Sequence, residues 1–463
     1  MTTGALTPRQ LQLLVALSAV GILLRFAVID RSYWFDELAT LNTVDVPDWK
    51  TVLDVTSKDN QPPLYNSTVF AWIHAFGYSE VAVRALSALY GLIALFTPWL
   101  ARRSLTQSQK LLCFAILCLM PLPIRYAQEA RNYSLLFLLS AACLFSYYEI
   151  VAARSRRLRP LFHVSLVLLA LSHLFGLLLA VSFLAVMFWR ERRILPRLGL
   201  ILYGLALCAL ILVPLLHGGS GQRAGGNFWI TFSAASLSQQ LLMVLTPVGI
   251  ALLAYASILW WRMPGKAAFD PALTTALMPF VLMLAGSIAI SFNTPILTDR
   301  NLIGLIPAFA LLTVWLLQPL LVRGSSVPTL IFMSLLLLQA VALIYSPFLF
   351  IQEDFRSIAR QSIAADSKVC YVVPATMKNL PHHIFSFYVV RMLGRPDLEP
   401  EELRLTEIPQ DLSTRDCRLW ADAILQKRGE SVLKGLPQFS HCHDVPLGKP
   451  GARTGSELLE CRS

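Results

Sequence analysis

Runs of apolar residues long enough to cross a lipid bilayer recur through the first 345 positions, and they constrain the fold more than anything else in the chain. A hydrocarbon core asks for ~20 residues of helix, because each backbone N–H and C=O must find its partner within the segment. Residues 11–29, 161–189 and 327–345 supply such lengths. Composition agrees: 56% of residues are hydrophobic and only 14% charged, with a mean hydropathy of +0.59. No soluble core calls for so many apolar runs.

The expected spans lie at 11–29, 80–101, 110–124, 133–152, 160–173, 175–190, 197–215, 241–261, 271–290, 302–321 and 327–346, about eleven in all. Residues 161–189 read either as one long tilted helix or as two short ones meeting near His173. Basic loops favour two. Arg102-Arg103 with Lys110, the arginines of 154–159 and 190–193, Arg262 with Lys266, and Arg323 then share one side, as cytoplasmic loops do. The same pattern explains the net charge of +11 without nucleic acid, which is not expected as a partner. The opposite, extracytoplasmic side receives residues 30–79, 125–132, 217–240 and 291–301. The first span lacks a strongly basic leader and a small-residue cleavage site, so it reads as a retained anchor.

From residue 352 onward charges and prolines return. The expected organisation is a membrane domain over 1–350, with the long outer loop 30–79, followed by an extracytoplasmic soluble domain over 351–463. Residues 369–373 predict a strand, and 354–364 and 384–393 predict helices. The fold class is therefore mainly α, polytopic and transmembrane, with a small C-terminal α/β module. Cys370, Cys417, Cys442 and Cys461 lie in this tail, where an oxidising compartment favours disulfides, and four cysteines allow three pairings.

Charges beside spans cost on the order of 2.5–3.5 kcal/mol each on insertion scales, so they mark function or partners. Three outer clusters stand out. Arg31-Ser-Tyr-Trp-Phe-Asp36-Glu37 follows the first span, Arg125-Tyr126-Ala-Gln128-Glu129-Ala-Arg131-Asn132-Tyr133 separates two spans, and Thr298-Asp299-Arg300-Asn301 precedes another. Helical spacing puts Gln128 and Arg131, or Arg125 and Glu129, on a common face. Arginines beside carboxylates predict an anion site with a base nearby. Gln61-Pro-Pro-Leu-Tyr65 reads as a turn leading into an apolar interfacial helix over 69–76. His173 stands near an outer helix end, as a substrate contact or a polar cap. His382-His383 and His441-Cys442-His443 lack a complete tetrahedral ligand spacing. The glycine-rich run 217–226 is not a nucleotide-binding P-loop.

Four segments carry a resemblance to the GT-C superfamily of membrane glycosyltransferases, and within it to the protein O-mannosyltransferase and lipid A aminoarabinose transferase branch. They are Tyr33-Trp-Phe-Asp36-Glu37; Gln61-Pro-Pro-Leu-Tyr65 with Glu80-Val-Ala-Val-Arg84; Tyr126-Ala-Gln-Glu129-Ala-Arg131-Asn-Tyr133; and Asp299-Arg300-Asn-Leu-Ile-Gly-Leu-Ile-Pro307. The resemblance implies a multi-pass protein of a bacterial inner membrane. It implies transfer of a hexosyl or pentosyl group from a polyprenyl-phosphate donor to a lipid, glycan or protein acceptor, with inversion, on the extracytoplasmic side. It makes Asp36 the general base, with Glu37 sharing that task, binding the acceptor or helping to hold a cation. It also makes Arg131 and Arg300 the phosphate ligands, with Arg84 and Arg125 in reserve and Glu129, Tyr65 and His173 about the substrate. Some superfamily members use a divalent cation and others do not, and the residues leave that open. The alternative is a transporter or flippase of a lipid-linked sugar, which would show charges at mid-membrane and paired broken helices.

Overall fold

The computed structural model describes residues 5–58, 61–218, 232–262, 270–318, 327–345, 355–364, 368–373, 387–398, 401–404, 417–422, 442–444 and 456–461. Residues 219–226 of the glycine-rich run, His382, His383, His441, Lys266 and Arg323 lie outside them. The chain forms two compact units. One comprises Met1–Ile29, Pro47–Trp72 and Arg84–Tyr345; the other joins Asp30–Val46 and Ile73–Val83 to Ser346–Ser463. The two ends of the first long loop thus belong to the unit that contains the tail.

In chain order the helices are α1 (Pro8–Phe26), α2 (Phe35–Val44), α3 (Trp49–Lys58), α4 (Leu64–Phe76), α5 (Glu80–Leu95), α6 (Gln107–Leu119), α7 (Pro121–Ala127), α8 (Tyr133–Ala152), α9 (Arg159–Ser172), α10 (Leu174–Arg190), α11 (Ile194–Gly218), α12 (Ala234–Leu245), α13 (Pro247–Trp261), α14 (Pro271–Ser291) and α15 (Ile306–Leu316), followed by Val327–Tyr345 and Phe355–Ala364. Among the described residues, α1, α8, α14 and the Ile194–Leu212 part of α11 are long and apolar enough to cross a membrane, and the bent pairs α6–α7 and α12–α13 bring the number to 6 if each is one span. Residues 160–190 form two helices that meet at His173, whose backbone is extended (φ −163°, ψ 151°).

The expected straight spans at 110–124 and 241–261 are both broken. Between α6 and α7 the chain bends by 61°. Pro121 has no N–H for the Leu117 carbonyl, and Met120 is extended (φ −64°, ψ 125°), so the carbonyls at the end of α6 lose their helical partners. Arg25, fully buried, takes them over. Its Nη2 donates to Leu117 O at 3.2 Å, and its Nη1 to Cys118 O and Gly21 O at 3.3 Å. The space around it is tight: a Cβ on Gly91 would stand 3.2 Å from Arg25 Nε and 3.1 Å from Ala127 Cβ. Gln128 secures the other end of α7. It donates to Leu24 O at 2.9 Å and accepts from Val28 N–H at 3.0 Å, closing the last turn of α1. The bend between α12 and α13 is 81°, at Thr246 (φ 61°, ψ 154°), whose hydroxyl caps Gly249 N–H at 3.1 Å.

In the second unit, strands β1 (Lys368–Val373), β2 (Glu401–Arg404), β3 (Cys417–Asp422), β4 (Cys442–Asp444) and β5 (Ser456–Cys461) form a sheet in the order β2-β1-β3-β5-β4. β1 runs parallel to β2 and β3, while β5 pairs antiparallel with β3 and β4. The helix expected over 384–393 is a π-helical turn, Phe387–Met392. The sheet is therefore mixed, with parallel pairing about β1 and antiparallel pairing about β5.

Candidate functional site

The bend at Pro121 delivers α7 and the turn after it to one end of α8, and this segment carries the second charged cluster. α7 stops at Ala127. Gln128 and Arg131 therefore do not share a helix face, because Gln128 points back to cap α1. Arg125 and Glu129 do pair, Nε to Oε1 at 3.5 Å, with Glu129 fully buried.

Beyond the turn, three rings line up. Tyr126 and Tyr133 have centroids 4.8 Å apart, and Tyr133 and His173 5.8 Å. Arg125 stacks on Tyr126 at 5.3 Å. Arg131 and Arg300, which come from segments far apart in sequence, both stand over Tyr133, at 6.0 and 5.8 Å from its centroid. A guanidinium beside a ring is a group that planar oxyanions bind well. Asp299 lies beside Arg300 in sequence and accepts from the Tyr126 hydroxyl at 3.4 Å. Gln240 of α12 accepts from Asp299 N–H, which ties the bent α12–α13 pair to the same place.

Other expected site residues brace this cluster. Tyr65 is buried, and its hydroxyl is 2.9 Å from Ser87 Oγ, which donates to the Arg131 carbonyl at 3.4 Å. Asn132 donates to Gln61 at 2.7 Å and to Ser172 O at 3.2 Å, linking the Gln-Pro-Pro turn to the α9–α10 junction. His173 Nδ1 accepts from Phe175 N–H at 3.0 Å and so starts α10, the polar-cap role. Arg84 is fully buried and donates to Ile29 O at 2.8 Å, an anchoring contact for the chain leaving α1.

Asp36 and Glu37 occupy the first turn of α2 in the second unit, where carboxylates suit the positive end of a helix. Their environments differ. Glu37 is fully buried, and its Oε2 accepts from Trp34 N–H at 3.2 Å, closing the start of the helix. Asp36 is half-buried. The loop before them is held from several directions. The Tyr388 hydroxyl accepts from Tyr33 N–H at 2.6 Å and donates to Glu80 Oε1 at 2.9 Å. Arg356 reaches Asp30 Oδ1 at 3.1 Å, the Asp30 carbonyl at 2.9 Å and Glu80 at 3.4 Å. Tyr33 donates to Tyr78 O at 2.9 Å, and Tyr78 and Arg391 both donate to Asp45, each at 2.9 Å. Burial, then Glu80, pushes the Tyr388 phenol up, so it stays protonated and able to donate. Burial works against the Arg356 charge, but Glu80 and Asp30 outweigh it and raise its pKa. Tyr78, Asp45, Tyr388 and Arg391 carried no local sequence signal, since their partners lie up to 356 positions away.

The open question of a divalent cation can be put to the donor set. Among the described residues, no three His, Cys, Asp or Glu side chains are gathered as a set that could hold one.

No family model and no curated protein sequence matches the chain. Solved structures do. ArnT from Cupriavidus metallidurans in the apo state superimposes with a TM-score of 0.55 at 12% identity, over 97% of this chain and 98% of that one. The same protein bound to undecaprenyl phosphate gives 0.52 at 14% identity, over 96% and 97%. The oligosaccharyltransferase of Archaeoglobus fulgidus gives 0.45 at 10% identity, over 89% and 68%. Over nearly its whole length this chain, with apolar helices long enough to cross a membrane, has the fold of ArnT.

Proposed function

We propose that the protein transfers a sugar from a polyprenyl-phosphate donor to an acceptor on the extracytoplasmic side of the membrane, with inversion at the anomeric carbon. The observation that carries this reading is the pair Arg131 and Arg300, brought from separate segments to within 6.0 and 5.8 Å of one buried tyrosine ring, Tyr133. The undecaprenyl phosphate bound by ArnT is an anion of the kind such a pair would receive.

In this mechanism the acceptor oxygen attacks the anomeric carbon opposite the phosphate. The bond from that carbon to the phosphate oxygen breaks, oxocarbenium character builds on the sugar, and a full phosphate charge departs with the lipid. Arg131 and Arg300 stabilise that charge as it forms. Asp36 takes the acceptor proton. A carboxylate with an ordinary pKa of ~3.9 is a weak base for an alcohol, but it needs only to be positioned as the proton leaves late in the transition state. Glu37 holds the helix that carries Asp36. Glu129 orients Arg125, and Tyr65, Asn132 and His173 set the platform.

The test is binding and release of undecaprenyl phosphate by purified protein, alongside turnover of polyprenyl-phosphate sugars from host membranes. Arg131→Ala and Arg300→Ala should each lower turnover by about 10²–10³-fold. They should also weaken carrier binding with the fold intact. Unchanged turnover and binding in the double variant would remove the phosphate assignment.

A further inference from the structure

The same three helices that meet at Tyr133 and His173 also frame a second basic site, at their far ends. α8 has 20 residues, so these ends are ~30 Å from its start. A cavity of about 630 Å³ opens there, within the ~300–1,000 Å³ of ordinary ligand sites. Arg154, Arg156, Arg159 and Arg190 line it, over a floor that includes Tyr147 and Phe162, stacked with centroids 5.2 Å apart. Glu191 is the carboxylate among the lining residues. Among the described residues, none of the four arginines is ion-paired.

We propose that this cavity binds a phosphate group, the chemistry shared by an anionic phospholipid headgroup and free phosphate. Four guanidiniums about one space repel one another, and a multivalent oxyanion relieves that repulsion while accepting several N–H donors. Arg154 adds a separate sign of construction. It sits just past the end of α8 with φ 53°, the left-handed position that glycine fills without strain, yet an arginine occupies it. Arg190 is oriented by donating to Thr275 Oγ1 of α14. Ile150, Val151, Met187 and Leu200 also line the cavity, apolar surface that suits the glycerol and first methylenes under a lipid phosphate. Helix ends in a bilayer are also where such headgroups lie.

The proposal stands apart from the sugar-transfer reading and is tested apart from it. Full-length protein, stripped of lipid and placed in phosphatidylcholine nanodiscs, is titrated with phosphatidylglycerol and separately with inorganic phosphate. The triple variant R156A/R159A/R190A should bind the occupant at least about tenfold more weakly, each lost ion pair contributing a fraction of that. Glu191→Gln, which keeps every arginine and removes the one carboxylate of the lining, should bind more tightly and keeps the test open if the triple variant does not fold. Phosphatidylglycerol binding that millimolar phosphate does not displace identifies the lipid; saturable phosphate binding that the triple variant loses identifies the free ion. No binding of either, equal affinity in the triple variant, or loss of binding in R131A/R300A instead, overturns the proposal.

Discussion

Replacing Tyr388 by phenylalanine removes one oxygen and keeps the ring, so apolar packing against Tyr33, with centroids 6.0 Å apart, is preserved and only polar contacts change. That oxygen accepts from Tyr33 N–H at 2.6 Å and donates to Glu80 at 2.9 Å, both within one compact unit. The bond to a carboxylate is worth about 1.5–3 kcal/mol, and a buried N–H left without its acceptor costs about 1–3 kcal/mol. Glu80 keeps Arg356 at 3.4 Å, which softens the first loss. A net destabilisation of about 2–4 kcal/mol is therefore expected in Tyr388→Phe. In a unit of this size that is on the order of 5–12 °C in the first thermal transition. The assay is thermal unfolding in detergent, paired with limited proteolysis of the tail. The phenol contribution has a definite pH range. The folded pKa of Tyr388 is raised, so its contribution is complete below the unfolded value of ~10 and is lost as pH rises through the folded one. Measurements at pH 7 and 8 should agree. A transition within about 1 °C of the parent protein would show that the Tyr33–Tyr388–Glu80 chain does not hold the loop before Asp36, and would refute the reasoning.

The two acids of α2 should separate cleanly. Asp36→Asn is expected to abolish transfer with the unfolding transition unchanged, whereas Glu37→Gln should lower stability by about 1 kcal/mol through the weakened cap and reduce turnover only in proportion. Near-normal turnover in purified Asp36→Asn sinks the base assignment. Gly91→Ala puts a Cβ against Arg25 and Ala127 and should cost about 1–3 kcal/mol of membrane-domain stability, read by thermal aggregation in detergent. An unchanged transition would mean that the contact yields freely. The register of β4 and β5 sets Cys442 opposite Cys461, and opposed antiparallel residues have Cα atoms ~4.5–5.5 Å apart, within disulfide reach. Non-reducing peptide mapping should recover those two peptides linked, and a Cys442 link to Cys370 or Cys417 would contradict the register.

What could be read from sequence follows from how local each signal is. Apolar length announced the membrane helices, and the cost of charge beside a span pointed to 125–133 and 299–301, whose arginines converge on Tyr133. The spacing argument failed at Gln128 because helix periodicity was extended past Ala127, where α7 ends. Pro121 and Arg25 were visible, but an apolar run hides both. The proline looks tolerable inside a span until the lost carbonyl partners are traced, and the arginine looks like a boundary residue until those carbonyls are found beside it. The four-arginine cavity was read only as loop charge. Its meaning depends on the ends of α8, α9 and α10 meeting, which no single segment encodes. Tyr388 was out of reach for the same reason.

The Arg25 contact also imposes an order on biosynthesis. α1 leaves the ribosome before α6 and α7, carrying an arginine whose carbonyl partners are set free only by the proline at position 121, about 95 residues later. At ~5–20 residues per second the first helix waits on the order of 5–20 s for its place. Meanwhile that guanidinium remains at the water interface, where long basic side chains are tolerated. The N-terminal helix therefore enters the membrane early and joins the folded protein late, and its docking records that the broken helix pair has been made.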